Sequence, residues 1–433
     1  MKPTMLAACI FFLCSSVTPV KNISFIDFRK SFIKGYNSLN IPQLQLSYAA
    51  NFQNIQSLAG IQQQINFFQQ IKTAVVIYKK DSLSKEETND LDLIEYETNL
   101  NLQRLALEKD WLRKRPAVIP TNNFHSIPDD SAWYVYYVKR WLGADVNPDE
   151  LYLNGIMEID SVKKHINDIR LKTGMDSSTF YHHLNDDSFF LTSQSQVQQA
   201  FEHVKNIIQK NLSNIFSITN IPDIKVERGT NNELAQTPGY YSNNTFYYNY
   251  WDSPYDKKQV AWLFIHEAIP GHHYQACISK QSKLSDVQQL FWYPGFSEGW
   301  AAYCEELGKE LGVYQTPYDE LGKWEWDLVR SVRVPLDVGI NYYGWSDAKA
   351  LAFWKKYISN HDDIAMREVE RIHRWPVQVI TYKYGAEQII RWKKILQLNS
   401  NFNIKTFHEK ILEPGALPFF LIEKNLDDGK KIL

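Results

Sequence analysis

Apolar residues recur at three- and four-residue spacing through most of the chain. Phe25, Phe28, Phe32 and Ile33 begin the pattern. Ile61, Ile65, Phe68 and Ile71 continue it, and Leu91, Ile94, Leu100, Leu105 and Leu107 carry it to about Leu112. One face of a 3.6-residue helix gives this spacing. Prolines 116, 120 and 128 mark a loop over 116–131. Helices are then expected at 133–141, from Pro148, at 154–173 with Gly174 as the stop, and at 187–211. Two stretches break the period. Residues 223–228 alternate, and 245–251 are rich in strand-forming tyrosine and phenylalanine. Helical spacing returns at 257–269, with Asp256 as cap, then at 297–312, 321–338, 348–358 and 364–373. The fold class is therefore mainly α with a small β-sheet.

Composition adds limits. A net charge of -2 gives no electrostatic reason to expect nucleic acid or an anionic membrane as partner. Residues 1–20 read as a secretory leader: Lys2 is the charged end, Met5 to Leu13 the apolar run, and Ser15-Ser16 the small residues for cleavage. Leu6-Ala7-Ala8-Cys9 resembles a lipobox, which would add membrane attachment by lipidation. The expected location is exported, periplasmic or in the cell envelope. Residues 21–120 form an N-terminal helical region, and 121–433 hold the chemistry, the two being continuous. Cys277 and Cys304 remain after the leader, and an exported protein permits either a disulfide or two buried thiols.

The chemistry centres on residues 265–275, where three of eleven histidines fall within eight positions beside a carboxylate. In H-E-x-x-H zinc hydrolases two histidines one turn apart hold the metal and the glutamate acts as base. Here the position four after His266 is Pro270, and the next histidines are six and seven on. On a straight helix His272 would stand about 240° round, and His273 roughly 10 Å along the axis. Pro270 removes one helical hydrogen bond and Gly271 permits unusual backbone, so a widened turn absorbing two residues would bring His272 beside His266. His272 is the expected second ligand and His273 the reserve. Glu298, thirty-two residues after His266 and near a helix start, suits a third ligand; Glu305, one heptad later, suits a supporting role. Glu267 is the expected base. The strands just before this helix could hold an extended peptide by edge pairing, or form an ordinary covering hairpin.

Five segments carry a family resemblance: HEAIPGHHYQ at 266–275, FSEGWAAYCEELG at 296–308, RVPLDVGINYYGWS at 333–346, RWPVQVITYKYG at 374–385 and FHEKILEPGALP at 407–418. With them the chain resembles the bacterial DUF885 proteins, exported or lipoprotein zinc peptidases related in architecture to gluzincins. The resemblance implies a large helical metallopeptidase-like domain with a small sheet beside the active-site helix. It also implies Zn2+ on His266, His272 and Glu298, Glu267 as base, and a peptide substrate. Tyr382 matches the family tyrosine of the Y-K-x-G segment and is the expected oxyanion donor. Arg371, His373 and Tyr384 are further candidates for substrate binding. The chain departs from the family at Asn341, where histidine is common, at Val377, where glycine is common, and at Ile372, where tyrosine is common. Rival readings are a non-catalytic, metal-stabilised binding protein and a two-histidine, one-carboxylate iron enzyme.

Overall fold

A computed structural model describes residues 23–235, 237–251, 254–358 and 362–427. The expected leader, with Cys9 and Cys14, lies outside the described residues. The structure is 67% helical and 4% strand. The fold is mainly α.

Four helices open the chain: Phe25–Ser38, Tyr48–Gln53, Leu58–Tyr78 and Lys85–Lys114. Serines 24, 47, 57 and 84 cap them in turn, each side chain accepting a free backbone N–H of the first turn. Ser84 and Glu87 complete a capping box. Further on, a single helix, Pro148–Lys172, covers what reads as two in the sequence, because Pro148 sits at the first helical position and costs nothing there. It packs against Pro317–Asn341.

Some boundaries differ from the sequence reading. Residues 187–193 are not helix: a short 3-10 turn leads into β1 (Phe190–Leu191), and the helix is Gln194–Asn211, capped by Ser193. The expected helix at 297–312 is Pro294–Cys304 followed by a 3-10 turn, so it starts a turn earlier, again at a proline. The helix expected at 321–338 runs Pro317–Asn341, opened by a Thr316/Asp319 capping box and continuing through Pro335. Two helices, Ile404–Leu412 and Phe419–Leu426, close the described chain.

The sheet has one more strand than the alternation suggests. β2 (Lys225–Arg228) pairs parallel with β4 (Thr245–Tyr248), and β3 (Gly239–Ser242) pairs antiparallel with β4. Asn243 and Asn244 join β3 to β4 with φ of 49° and 59°. Asparagine tolerates positive φ, and two such residues make the turn that matches strand twist. β5 (Tyr255–Asp256) pairs only with β1.

The sheet lies against the helix Val260–Glu267, in which every residue from Val260 to His266 is buried. A helix apolar all round belongs in a core. Beside it, Pro294–Cys304 crosses Ile380–Leu396 glycine to glycine. A Cβ on Gly299 would lie 2.4 Å from the Gly385 Cα, so only glycines permit this approach.

Asp337 sits fully buried in the Pro317–Asn341 helix. Burial pushes its carboxyl up to about 7, against hydrogen bonds from the Tyr134 hydroxyl, the Val377 amide and the Asn341 side chain. All three partners are neutral. The folded state therefore holds a proton that the unfolded chain releases near pH 4, and stability falls as pH rises from about 4 to about 7. At full effect the change is about 4 kcal/mol. Asp337→Asn is expected to flatten this slope, which urea midpoints at pH 5 and pH 8 would read. A wild type and variant separated by the same amount at both pH values would refute it.

Candidate metal centre

The helix ends at Glu267, and a new one, His272–Gln281, begins five residues later. Between them the Gly271 amide donates to the Ile265 carbonyl at 2.9 Å, and the Tyr274 amide donates to Ala268 at 3.3 Å. Each bond spans six residues where an α-helix spans four. The break thus takes up two extra residues. Gly271 makes it possible: a Cβ there would meet the His266 carbonyl oxygen at 1.8 Å. The neighbouring helix holds the break in place. Trp300 Nε1 donates to the Pro270 carbonyl at 2.9 Å, and the Cys304 thiol approaches the same oxygen at 3.5 Å. Cys277 and Cys304 are free thiols, not a disulfide.

The break brings His272 beside His266, with ring centroids 5.0 Å apart and planes at 88°. Glu298 comes from the Pro294–Cys304 helix. Its Oε2 lies 3.7 Å from His266 Nε2 and 3.4 Å from His272 Nε2. One donor atom from each of the three residues falls within 4.8 Å of the others. Donors around a tetrahedral zinc with bonds of roughly 2.1 Å stand roughly 3.4 Å apart. The two nitrogens and one oxygen fit such an ion in kind and in spacing. Among the described residues no fourth histidine, cysteine, aspartate or glutamate joins the set. His273 is turned away, with Nε2 at 2.8 Å from the Pro222 carbonyl oxygen and Nδ1 beside the Tyr241 hydroxyl.

A second layer of charge stands behind the donors. His266 Nδ1 lies 2.8 Å from Glu305, which also accepts from Arg330 at 2.7 Å. Glu305 is fully buried and Arg330 nearly so. Burial alone would lower the His266 pKa, but the carboxylates of Glu298 and Glu305 raise it to about 9. The facing His266 and His272 rings hold the Glu298 carboxyl well below its ordinary range in spite of burial. The site is therefore a proton-sharing cluster that a cation could enter by displacing the proton. Replacing Glu305 by Gln removes the anion that orients His266, and metal affinity is expected to fall roughly 10- to 100-fold. Competition against a chromogenic chelator measures this; an unchanged affinity would deny Glu305 that role.

Glu267 stands on the wall of the cleft, outside the three-donor set. Burial raises its pKa, and the Tyr241 backbone supplies a hydrogen bond. Tyr382 stacks against His266 at 6.2 Å between centroids. Its hydroxyl accepts from Gln378 at 3.4 Å, and burial keeps it protonated. Arg371 also lines the cleft; it bonds Gln378 at 2.7 Å, and its buried Nε has no partner. The other two candidates lie elsewhere. His373 faces out to Asp347 at 2.7 Å. Tyr384 packs on Phe419 at 5.7 Å between centroids, since two residues past Tyr382 is about 200° round the helix. The cleft measures about 1380 Å³, and β3 forms part of its wall.

Sequence reasoning gave Arg330, Gln378 and Tyr241 no role at this site. Arg330 is a single charge on a long helix, and nothing in its spacing points to residue 305. Tyr241 stood in an unrecognised strand.

Several solved structures resemble the chain, among them the following two. A candidate lipoprotein from Colwellia psychrerythraea superposes with a TM-score of 0.64 at 21% identity, covering 85% of this chain and 69% of that one. A candidate lipoprotein of unknown function from Shewanella oneidensis gives 0.58 at 18% identity, covering 94% and 89%. At such identities the likeness concerns the fold. No curated protein matches the chain. A family model does match, over residues 48–426: the chain belongs to DUF885, a family of bacterial proteins of unknown function.

Proposed function

We propose that this protein is an exported, zinc-dependent hydrolase of peptide bonds. The observation that carries the reading is a three-donor set with no fourth protein donor among the described residues, beside a separate carboxylate, Glu267, on the wall of a large cleft. A purely structural zinc site is closed by four protein ligands. Zinc held by His266, His272 and Glu298 would supply Lewis-acid polarisation of a carbonyl and acidify water.

The chain's own groups supply the rest. Glu267 takes the proton of the attacking water and hands it to the leaving amine. The Tyr382 hydroxyl donates to the oxygen that gains charge as the carbonyl carbon becomes tetrahedral. β3 binds the substrate backbone. In its two-residue hairpin Ser242 and Thr245 form the closing hydrogen-bonded pair, so Tyr240 and Ser242 bond to β4, while Gly239 presents its amide and carbonyl the other way and Tyr241 its carbonyl, the Tyr241 amide being held by Glu267. An extended peptide can pair along that edge. Arg371, a guanidinium on the cleft wall, suits a substrate's terminal carboxylate. The lipoprotein descriptions of the two structural relatives support the exported location.

The test is a mixed peptide pool with and without chelator, analysed by mass spectrometry alongside metal analysis of the purified protein. Chelator-sensitive cleavage by a zinc-loaded chain is expected, with C-terminally amidated peptides spared. No cleavage of any peptide, or bound iron with oxygen-dependent chemistry, would end the reading.

A further inference from the structure

A second cavity, of about 570 Å³, lies beside the metal cleft and shares Gln289, Phe291 and Trp292 with its wall. Its floor is one face of the helix Lys85–Lys114. Glu97, Asn101, Arg104 and Glu108 follow one another there at four-, three- and four-residue steps, and all are buried. This spacing marks the face that an amphipathic helix normally keeps apolar. Charges at such positions cost stability unless they are paired.

Most of the pairing is complete. Arg140 Nη1 donates to Glu97 at 2.7 Å, as does the Tyr293 hydroxyl at 2.6 Å. Arg104 donates to Glu108 at 2.6 Å and also to Asn101. Two groups are left over. Glu108 Oε2 has no partner. Among the described residues Arg140 is engaged through Nη1 alone, which leaves Nε and Nη2. The hydroxyls of Tyr36 and Tyr136, pushed up to about 12 by burial, stay protonated on the same wall.

We propose that this cavity binds a neutral carbohydrate, one or more rings of an oligosaccharide. Two arginines against two glutamates leave the floor without net charge, which favours no ion of either sign. Donors and acceptors stand side by side, and a hydroxyl is the ligand group that serves as both. Asn37, Asn54 and Gln289 add amides at the mouth with the same double capacity. Trp292, 54% exposed at the rim, offers a flat apolar surface to the C–H face of a sugar ring. The volume lies within the range of small-ligand pockets. This proposal does not depend on the hydrolase reading.

The test is calorimetric titration of the full chain, in chelator so that no turnover intervenes, with maltotriose, chitotriose and triglycine. At least one oligosaccharide is expected to bind one to one with a Kd of about 1 mM or tighter. Glu267→Gln, which alters only the metal cleft, should bind alike. Asn37→Trp and Asn54→Trp place bulk at two exposed positions of this mouth, and should weaken binding by about tenfold or more at unchanged Tm. Three results would overturn the proposal: no binding by either sugar, binding indifferent to both tryptophan variants, or triglycine binding more tightly than both sugars with the same sensitivity.

Discussion

Glu267→Gln is expected to lower peptide turnover by about 10²- to 10⁴-fold while the bound metal stays at one per chain. Glutamine keeps the size of glutamate and an oxygen for the Tyr241 backbone hydrogen bond, so the cleft wall should hold its shape. It cannot take a proton from water. Because Glu267 lies outside the three-donor set, the same change should spare the metal. The pair of measurements is turnover on a peptide drawn from the pool, and elemental analysis of the same preparation. A variant with near-wild-type turnover removes Glu267 from the mechanism. One that loses its metal makes Glu267 a ligand instead.

The juxtaposition of His266, His272 and Glu298 was legible because they lie on two short segments whose neighbours constrain them. Pro270 and Gly271 announce a break, and six-residue spacing then demands two absorbed residues. The bonds from Gly271 to Ile265 and from Tyr274 to Ala268 have that span. Glu305 could be read from Glu298 because a heptad returns to the same face. Arg330 could not, since its position depends on how a helix twenty-five residues further on packs. His373 and Tyr384 show the opposite failure. They stand next to cleft residues in sequence, but a one- or two-residue step turns a helical side chain well away. β3 was missed because Gly239 and Ser242 are weak strand formers, and pairing with β4 overrides that preference. The departure at Val377 also becomes visible: its φ is 71°, a region open to glycine and unfavourable for a β-branched residue.

Gly271→Ala should have the second large effect. The obstacle to a side chain there is space. The added methyl would lie 1.8 Å from one carbonyl oxygen and 2.4 Å from another, both in the helix that carries His266. Neither oxygen belongs to a flexible side chain. The break must open, and His272 must move away from His266 as it does. A loss of about 3 kcal/mol or more is expected, together with loss of metal. Thermal melts and metal stoichiometry would read both. A Gly271→Ala protein with the native Tm and one metal per chain would show that the turn has another path.

The three-stranded sheet has two outer edges, and they are treated differently. On the β2 side, the Gln198 side chain from the helix Gln194–Asn211 bonds the Val226 carbonyl at 2.7 Å. On the β3 side the strand borders the cleft. Unprotected edges invite copies of a protein to join into aggregates. Here the second edge lines a recess of the same molecule, so it is not offered to another folded copy.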